Sequence, residues 1–367
     1  MNQAQIFKDT IHQNLAPIVS LLDDPTVSEI LINGPDSIFV ERQGKMEKTP
    51  FQFPDEDSLR AAVTSIAQSV GRRIDDNEPR LDARLPDGSR IAVVIPPCAR
   101  NGTTVSIRKF TKSKISLAEY IKTGALNEDA ARFLDICMFL GKNIIVSGGT
   151  GSGKTTLLSL LSSRIPKGQR LIVIEDSSEL QIDYEHVVFF ETRMADQHGN
   201  GEVTIRDLVK SSLRLRPDRI IVGEVRSSEA LELINAMNTG HKGCLGTVHA
   251  NSPEDAIVRL EALAQGGDAK ISEKALVAQV QSAIDLIIQI SRYSDGSRRV
   301  AAISEVRGFN PDGSYNVVPI FHITQLVRRA DGTLHGQLEP SGELPTFMQE
   351  IEDNNLPFPR TKFQQVA

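Results

Sequence analysis

The sequence predicts an α/β protein in which a smaller α+β domain precedes a larger domain with a mostly parallel sheet flanked by helices. The chain has 367 residues, enough for about two ordinary domains. Its first part reads as short strands around one amphipathic helix, and from about residue 117 apolar strands alternate with helices. A glycine-rich loop links the first of these later strands to the helix that follows it.

Residues 1–110 are predicted to form the α+β domain. The stretch "ILINGPDSIFVERQGKME" places turn residues between apolar runs, which is typical of paired strands. A strand over 91–95 ends at Pro96-Pro97, and residues 111–116 read as a linker. An amphipathic helix is predicted between the paired strands and the strand over 91–95. Apolar residues recur there at helical spacing, at Leu59, Ala62, Val63, Ile66 and Val70.

Residues 117–367 are predicted to form the α/β domain. Its strands are "NIIVS", "RLIVIE", "VVFFE", "RIIVG" and "GCLGTVH", with helical patterns between most of them. This alternation favours a mostly parallel sheet covered by helices on both faces. Beyond residue 255, two helical patterns lead to a hairpin closed at Asp295-Gly296, and together they form a C-terminal helical and hairpin subdomain.

Composition excludes several classes of protein. The formal net charge is −6 and the pI is about 5.7, so no general nucleic-acid footprint is present and no direct nucleic-acid contact is expected. The three cysteines are widely separated, which makes a zinc knuckle improbable and fits a reducing compartment. No signal-peptide pattern or long apolar run is present, so we expect a cytoplasmic protein that meets a membrane only peripherally, through a partner.

The stretch "GGTGSGKTT" carries the strongest chemical signal. It contains Gly-x-x-x-x-Gly-Lys-Thr between an apolar strand and an apolar-faced helix. Its glycines let backbone N–H groups surround phosphate oxygens, Lys154 supplies positive charge, and Thr155 offers a hydroxyl to Mg²⁺. A merely flexible glycine-rich loop is the alternative. The predicted nucleotide-binding residues are Gly148, Gly149, Thr150, Gly151, Ser152, Gly153, Lys154, Thr155 and Thr156.

Two acidic clusters follow apolar strands. Glu224 ends "RIIVGE", where Gly223 stands in the place usual for a magnesium-steadying aspartate. The second cluster, in "VIEDSSEL", contains Glu175, Asp176 and Glu179. Because the carboxyl ends of parallel strands line one crevice, both clusters are expected to reach the phosphate loop. The alternatives are an ordinary surface acid for Glu224 and helix capping for the second cluster.

Histidines and arginines supply further candidates. His241 and His249 bracket the strand "KGCLGTV", and hydrogen bonding that reports on bound phosphate explains them better than zinc does. Each is also compatible with a purely structural role. Arginines could neutralise developing charge, as an arginine finger does, although each is also a potential salt-bridge former. The candidates are Arg84, Arg90, Arg108, Arg214 and Arg216.

Four segments, in order, resemble the secretion-ATPase superfamily of type II secretion, type IV pili and type IV secretion. They are a Walker A "GGTGSGKTT", an Asp box "VIEDSSEL", a Walker B "LRLRPDRIIVGEVRSSEA" and a His box "TGHKGCLGTVHAN". Within it, the chain is most similar to the CpaF/TadA branch, the ATPases of tight-adherence (Tad) pili. That similarity includes "LLDDPTVSEILINGPDSIFVERQGK" near the start and "SGELPTFMQEIEDNNLPFP" near the end.

The resemblance implies a RecA-like P-loop NTPase motor domain preceded by a PAS-like N-terminal domain. It implies a homo-oligomeric ring, commonly a hexamer, that uses ATP and Mg²⁺ beside the bacterial inner membrane. At the matching positions of this sequence, the resemblance implies that His241 and His249 sense the nucleotide and that the five candidate arginines make contacts that close the site. It gives catalysis to Glu224, Lys154, Glu175, Asp176 and Glu179, and Mg²⁺ binding to Thr155, Glu175 and Asp176.

The resulting functional prediction is a ring-forming ATP hydrolase that powers Tad or type IV-like pilus assembly, or protein secretion, through an inner-membrane platform protein. A conjugative type IV secretion ATPase shares all four motor motifs and is the nearest alternative. A nucleic-acid-stimulated RecA-like translocase and a nucleotide-gated binding switch are alternatives from other classes. The acidic balance of the chain disfavours the translocase.

Overall fold

The computed structural model describes residues 11–42, 44–85, 87–110, 115–195, 199–267 and 271–364. The chain divides into two compact units, Met1–Ser113 and Lys114–Ala367. The division falls in the segment predicted as a linker, of which residues 111–114 lie outside the described residues. No helix in the described ranges is long and apolar enough to cross a membrane.

The first unit is built on one antiparallel sheet of six strands in the order β3-β2-β1-β6-β5-β4. The strands are β1 (Val27–Asn33), β2 (Ile38–Arg42), β3 (Lys45–Lys48), β4 (Arg80–Arg84), β5 (Arg90–Val94) and β6 (Thr104–Arg108). The helices are the short α1 (Val19–Asp23) and the longer α2 (Glu56–Ser69). Paired strands and an intervening helix were predicted, and both are present.

Helix α2 supplies much of the apolar surface of this unit. Its first turn is capped by Asp55, whose side chain accepts a 2.7 Å hydrogen bond from the backbone N–H of Ser58. The predicted apolar stripe is buried except at Val70, which is half-buried and follows the last helical residue; Leu59, Val63 and Ile66 pack in one core with residues of the sheet. The 3.6-residue period therefore predicted which face of the helix is covered.

The second unit contains a nine-stranded sheet in the order β17-β14-β13-β12-β7-β11-β10-β8-β9. The six strands from β12 to β9 in this order are parallel, as predicted, and β13, β14 and β17 extend the sheet in antiparallel fashion. The central strands are β7 (Ile144–Gly148), β8 (Leu171–Glu175), β9 (Val187–Glu191), β10 (Arg219–Val222), β11 (Leu245–Val248) and β12 (Leu286–Arg292).

Helices cover both faces of this sheet. They are α3 (Leu117–Lys122), α4 (Glu128–Leu140), α5 (Lys154–Ser162), α6 (Ile205–Ser212), α7 (Glu229–Asn238), α8 (Pro253–Gln265), α9 (Glu273–Ala283) and α10 (Met348–Asp353). Helices α4 and α5 pack in the core on one face, while α6 to α9 pack in a second core on the other. Two-sided burial explains why the central strands are continuous apolar runs.

The C-terminal part forms more strand than the sequence indicated. The predicted hairpin is β12 with β13 (Arg298–Phe309), and the further strands are β14 (Tyr315–Ile323), β15 (Val327–Arg328), β16 (Leu334–His335) and β17 (Leu338–Pro340). Strand β14 was not predicted, because it contains Pro319 and alternates only weakly between buried and exposed residues. Strands β15 and β16 pair separately from the large sheet.

A buried arginine fixes the amino end of β10. The Arg219 side chain is 3% exposed and donates to Gln169 Oε1 at 2.7 Å and to the Met138 carbonyl at 2.8 Å. Met138 lies in the last turn of α4, where positive charge is favoured by the helix dipole. A Cβ at Gly243 would overlap the same guanidinium. Gly243 thus leaves the space that this charge needs.

We expect Gly243→Ala to destabilise the protein more than a matched control does. Gly243 and Gly240 both have left-handed backbone, with φ of 73° and 101°, so either alanine costs about 1–2 kcal/mol in strain. Only Gly243→Ala also displaces Arg219 from its acceptors, which adds about 2–3 kcal/mol. Its thermal unfolding midpoint should lie roughly 5–10 °C below that of Gly240→Ala. Equal midpoints would contradict this account of Arg219.

Candidate nucleotide site

Four neighbouring parallel strands bring the phosphate loop, both acidic clusters and His249 to one edge of the sheet. Strand β7 pairs with β11, β11 with β10, and β10 with β8. The phosphate loop follows β7, Asp176 follows β8, Glu224 follows β10 and His249 follows β11. Because all four strands run in the same direction, these segments leave the sheet at the same edge, as the sequence predicted.

The phosphate loop leads directly into helix α5. Gly153 is the N-cap residue in left-handed conformation, and the first helical residues are Lys154, Thr155 and Thr156. The first N–H groups of a helix have no partner within the helix, and the helix dipole favours anions there. This geometry is suited to phosphate. Of the other loop residues, Gly148 and Ser152 are buried, and Gly149, Thr150 and Gly151 are exposed.

The Lys154 side chain contacts both the phosphate loop and His249. Its Nζ donates to the carbonyls of Gly148 and Gly149, both at 3.0 Å. The same atom lies 3.4 Å from Nδ1 and 3.3 Å from Nε2 of His249. The ammonium is therefore shared between the loop and the segment that follows β11.

His249 connects Lys154 to Glu224. The His249 Nε2 atom lies 2.7 Å from Glu224 Oε1. Burial and the Lys154 ammonium lower the pKa of His249, and Glu224 opposes them, so the ring is neutral at neutral pH. One neutral tautomer satisfies both neighbours: Nε2–H donates to the carboxylate, and Nδ1 accepts from Lys154.

Arg226 extends this chain of contacts and was not among the predicted arginines. Its Nη2 donates to Glu224 Oε2 at 2.5 Å, and its Nη1 lies 3.4 Å from Asp176 Oδ2. The hydrogen bond to Glu224 raises the pKa of the Arg226 guanidinium. Arg226 lies two residues after Glu224, on the segment that leaves β10, and that position was its only sequence signal. It joins the acids of the two clusters.

The carboxylate of Glu175 faces the backbone of the loop that follows it. Its Oε1 accepts hydrogen bonds from the N–H groups of Glu179 at 2.8 Å and Leu180 at 2.9 Å. Glu175 is 3% exposed, and burial raises its pKa to about 7, although the two N–H groups favour the charged form. The same contact brings Glu179 into the site region.

Gly223 has no room for a side chain, because Glu175 occupies the space. A Cβ at Gly223 would lie 2.9 Å from Glu175 Cγ and 3.4 Å from Oε1. The Gly223 backbone is held on both sides, through its N–H to the Ile174 carbonyl and its carbonyl to the Thr247 hydroxyl. An aspartate at 223 would therefore collide with Glu175, which explains the glycine in "RIIVGEVR" sterically.

Three predicted site residues lie at the other edge of the sheet. His241 precedes β11, whereas His249 follows it. Arg214 and Arg216 precede β10, whereas Glu224 follows it. The structure thus brings His249 to the phosphate loop of its own chain and does not bring His241, Arg214 or Arg216 there. The residues before and after a strand are close in the sequence, but they lie at opposite ends of that strand in the structure. Closeness in the sequence therefore did not reveal the separation.

The arginines of the first unit form a row. Arg84, Arg90 and Arg108 are register partners on the adjacent strands β4, β5 and β6. Glu29 of β1 pairs with Arg108, and its side chain accepts from the Ser106 hydroxyl at 2.9 Å. The three arginines therefore share one face of adjacent strands.

The residues beside the phosphate loop are compatible with Mg²⁺. Thr155 lies in the first turn of α5, and the Asp176 side chain is 50% exposed. Mg²⁺ takes oxygen ligands and usually needs only one or two from the protein, in addition to substrate phosphates and water. Among the described residues, no three His, Cys, Asp or Glu side chains form a metal-binding group. Glu175, also predicted as a ligand, is directed at backbone N–H groups instead.

Known proteins resemble the chain over most of its length. A family model described as "Type II/IV secretion system protein" matches residues 12–318. A putative conjugal transfer protein of Mycobacterium tuberculosis is 35% identical over 325 residues, which are 87% of this chain and 91% of that protein. The VirB11 type IV secretion protein of Brucella suis is 36% identical over 276 residues, covering 68% of this chain and 76% of the relative.

Solved structures agree with the fold. The pilus retraction motor PilT aligns with a TM-score of 0.57 at 18% identity, covering 96% of this chain and 90% of PilT. The Legionella pneumophila ATPase DotB aligns with a TM-score of 0.54 at 20% identity, covering 80% of this chain and 79% of DotB. The predicted α/β architecture with a preceding smaller unit is thereby confirmed. The chain belongs to the type II/IV secretion system protein family.

Proposed function

We propose that this protein is an ATP hydrolase that drives a pilus or secretion machine. The observation that carries the proposal is the chain of contacts from Lys154 through His249 to Glu224. It connects Lys154, which we propose binds phosphate, to Glu224, which we propose acts on water. The family membership and the loop sequence support ATP as the nucleotide.

The first step is binding of the polyphosphate at the loop. Phosphate oxygens are anionic, so their hydrogen bonds with the Lys154 ammonium are stronger than those it donates to the neutral Gly148 and Gly149 carbonyls. The N–H groups of Thr155 and Thr156 at the start of α5 add to this binding. Transfer of Lys154 to the phosphate weakens its contact with His249. Nucleotide binding is thereby reported to Glu224.

The second step is activation of water by Glu224. Phosphoryl transfer depends mainly on positioning and on neutralising charge, so a carboxylate near the terminal phosphate is sufficient to orient the attacking water. His249 and Arg226 hold the two carboxylate oxygens of Glu224 at 2.7 and 2.5 Å. We propose that these contacts set its direction, and that His249 is the residue that senses the nucleotide.

The acids divide the remaining work. Mg²⁺, when bound, would neutralise charge on the β- and γ-phosphates. We propose that Thr155 and Asp176 are nearest to it, with Glu179 in the water shell. Glu175 acts through the loop, because it holds the backbone of Glu179 and Leu180. Gly223 is required for this arrangement.

Further elements of the proposal rest on the family resemblance. We propose that the protein works as a homo-oligomeric, hexameric ring beside the bacterial inner membrane, on a platform protein. The row Arg84, Arg90 and Arg108 would bind phosphate oxygens and neutralise charge during hydrolysis. His241, Arg214 and Arg216 would act at contacts between neighbouring chains of the ring.

Two kinds of machine are candidates for the one that this ATPase drives, a Tad-type pilus and a conjugative transfer system. The similarity of the first unit and the C-terminal tail to CpaF/TadA ATPases favours a Tad-type pilus. The names of the relatives favour conjugation, since they include a putative conjugal transfer protein and TrbB of Rhizobium radiobacter, which is 35% identical over 292 residues. We propose pilus assembly or the associated secretion as the first function, with conjugative transfer as the second.

Glu224→Gln should bind ATP as the wild type does, while steady-state phosphate release falls on the order of 10²-fold or more. The amide keeps the size of the side chain but cannot accept a proton from water. Binding is measured by calorimetry. Glu185→Gln, an exposed acid before β9, is the control and should leave turnover unchanged. Undiminished turnover in Glu224→Gln would remove this residue from its role.

Gly223→Ala and Glu175→Ala should each lower turnover, but their effects should not add. Both changes disturb the same loop, so a double-mutant cycle on kcat should show a coupling of about 1 kcal/mol or more. Gly246→Ala is the control, because its added methyl group meets Leu233 and Ile145 rather than Glu175. Glu175→Ala should be additive with it. Additivity between positions 175 and 223 would refute the steric account.

A chromosomal Glu224→Gln allele in the parent bacterium separates the two settings. Pilus assembly predicts the loss of surface filaments with plasmid transfer unaffected. Filaments are counted by electron microscopy, and transfer is measured by mating. A strain that keeps its filaments but loses transfer would overturn the first setting and support the second.

A further inference from the structure

The β12–β13 hairpin packs against the phosphate loop on the side away from the acids. Strand β12 pairs with β7 in parallel, and Ile290 is the register partner of Gly148. A Cβ at Gly148 would collide with the Ile290 carbonyl and lie 2.6 Å from Ser152 Oγ. This close approach places the end of the hairpin beside the loop. Strands β11, β10 and β8, which carry His249 and the acids, lie on the other side of β7.

Two arginines stand where the hairpin meets the loop. Arg292 and Arg298 are exposed register partners at the end of β12 and the start of β13, beside the turn that closes the hairpin. Arg298 Nε donates to the Gly151 carbonyl at 2.8 Å, and its Cδ would lie 3.5 Å from a Cβ at Gly153. Arg292 Nη1 would lie 3.6 Å from a Cβ at Gly151. Both guanidinium groups thus border the loop.

The position of the hairpin relative to Lys154 indicates which part of a nucleotide it meets. Lys154 contacts His249 on the side of β11, and a lysine at this place in a phosphate loop binds the β- and γ-phosphates. A nucleotide held in that way would extend its α-phosphate and ribose away from the acids, toward β12. Guanidinium groups recognise phosphate by paired N–H donors, and two such groups side by side concentrate positive charge.

We propose that Arg292 and Arg298 bind the α-phosphate and form the second cationic wall of the nucleotide site. Arg298 also positions the loop, because its bond to the outward-facing carbonyl of Gly151 supports the orientation in which loop N–H groups face phosphate. This inference rests on the proposed ATP-binding function. It assigns to the C-terminal hairpin a role that none of the four motor motifs includes.

The test compares ligands that differ in their phosphates. Arg292→Ala and Arg298→Ala are each titrated by calorimetry with ATP, ADP and inorganic tripolyphosphate, and their steady-state kinetics are measured. Each variant should bind all three ligands about tenfold more weakly, the scale of one lost charge-assisted contact. KM should rise with kcat nearly unchanged, and Arg298→Lys should recover part of the affinity. Arg329→Ala, an exposed arginine beside the separate β15–β16 ribbon, is the control.

Several results would overturn the inference. Weaker binding of ATP but not ADP would place the arginines at the γ-phosphate, and weaker binding of ATP but not tripolyphosphate would place them at the nucleoside. A fall in kcat and in the unfolding midpoint, without a change in affinity, would leave only a structural role. Arg292→Ala separates this case, because it leaves in place the bond that Arg298 donates to the Gly151 carbonyl. Wild-type protein that fails to bind ATP would refute the proposed function itself, whereas unchanged affinities in both variants would refute this inference alone.

Discussion

The parallel pairing of β8, β10, β11 and β7 is the constraint on which the site depends. In-register parallel strands release their following segments at one edge, so four stretches far apart in sequence meet there. Within that edge, Lys154, His249 and Glu224 make one continuous chain of contacts. A shift of any strand by one residue would turn its side chains to the other face and break the chain.

Buried, hydrogen-bonded polar side chains fix the ends of these strands. Arg219 ties the start of β10 to the end of α4, and Gly243 leaves room for its guanidinium. At the other end of β10, Glu175 packs on Gly223 and holds the loop after β8. Buried charges are costly unless their hydrogen-bond partners are in place, so these contacts specify one arrangement of the strands.

The sequence predicted most of the fold, and it predicted which segments follow the strands at the edge that carries the phosphate loop. Strong apolar runs, the 3.6-residue period of α2 and the loop "GGTGSGKTT" were sufficient for the elements and their order. Sequence patterns do not reveal which end of a strand a residue occupies in space, so His241 and His249 looked equivalent. Arg226 and Arg298 were missed because a single arginine has no distinctive spacing. Glu175 was predicted as a Mg²⁺ ligand, and its contacts with Gly223 and with the N–H groups of Glu179 and Leu180 could not be predicted, because they depend on how neighbouring strands pack.

The central claim is that bound phosphate replaces His249 and the loop carbonyls as the hydrogen-bond partner of Lys154. The loss of the Lys154–His249 contact then changes the contact between His249 and Glu224. A crystal structure with Mg²⁺ and a non-hydrolysable ATP analogue tests it most directly. The account predicts that Lys154 Nζ lies within about 3 Å of a β- or γ-phosphate oxygen. It also predicts that the contact between Nζ and His249 Nδ1, 3.4 Å here, is lengthened beyond hydrogen-bond range. A bound analogue with Lys154 still on Gly148, Gly149 and His249 would contradict it.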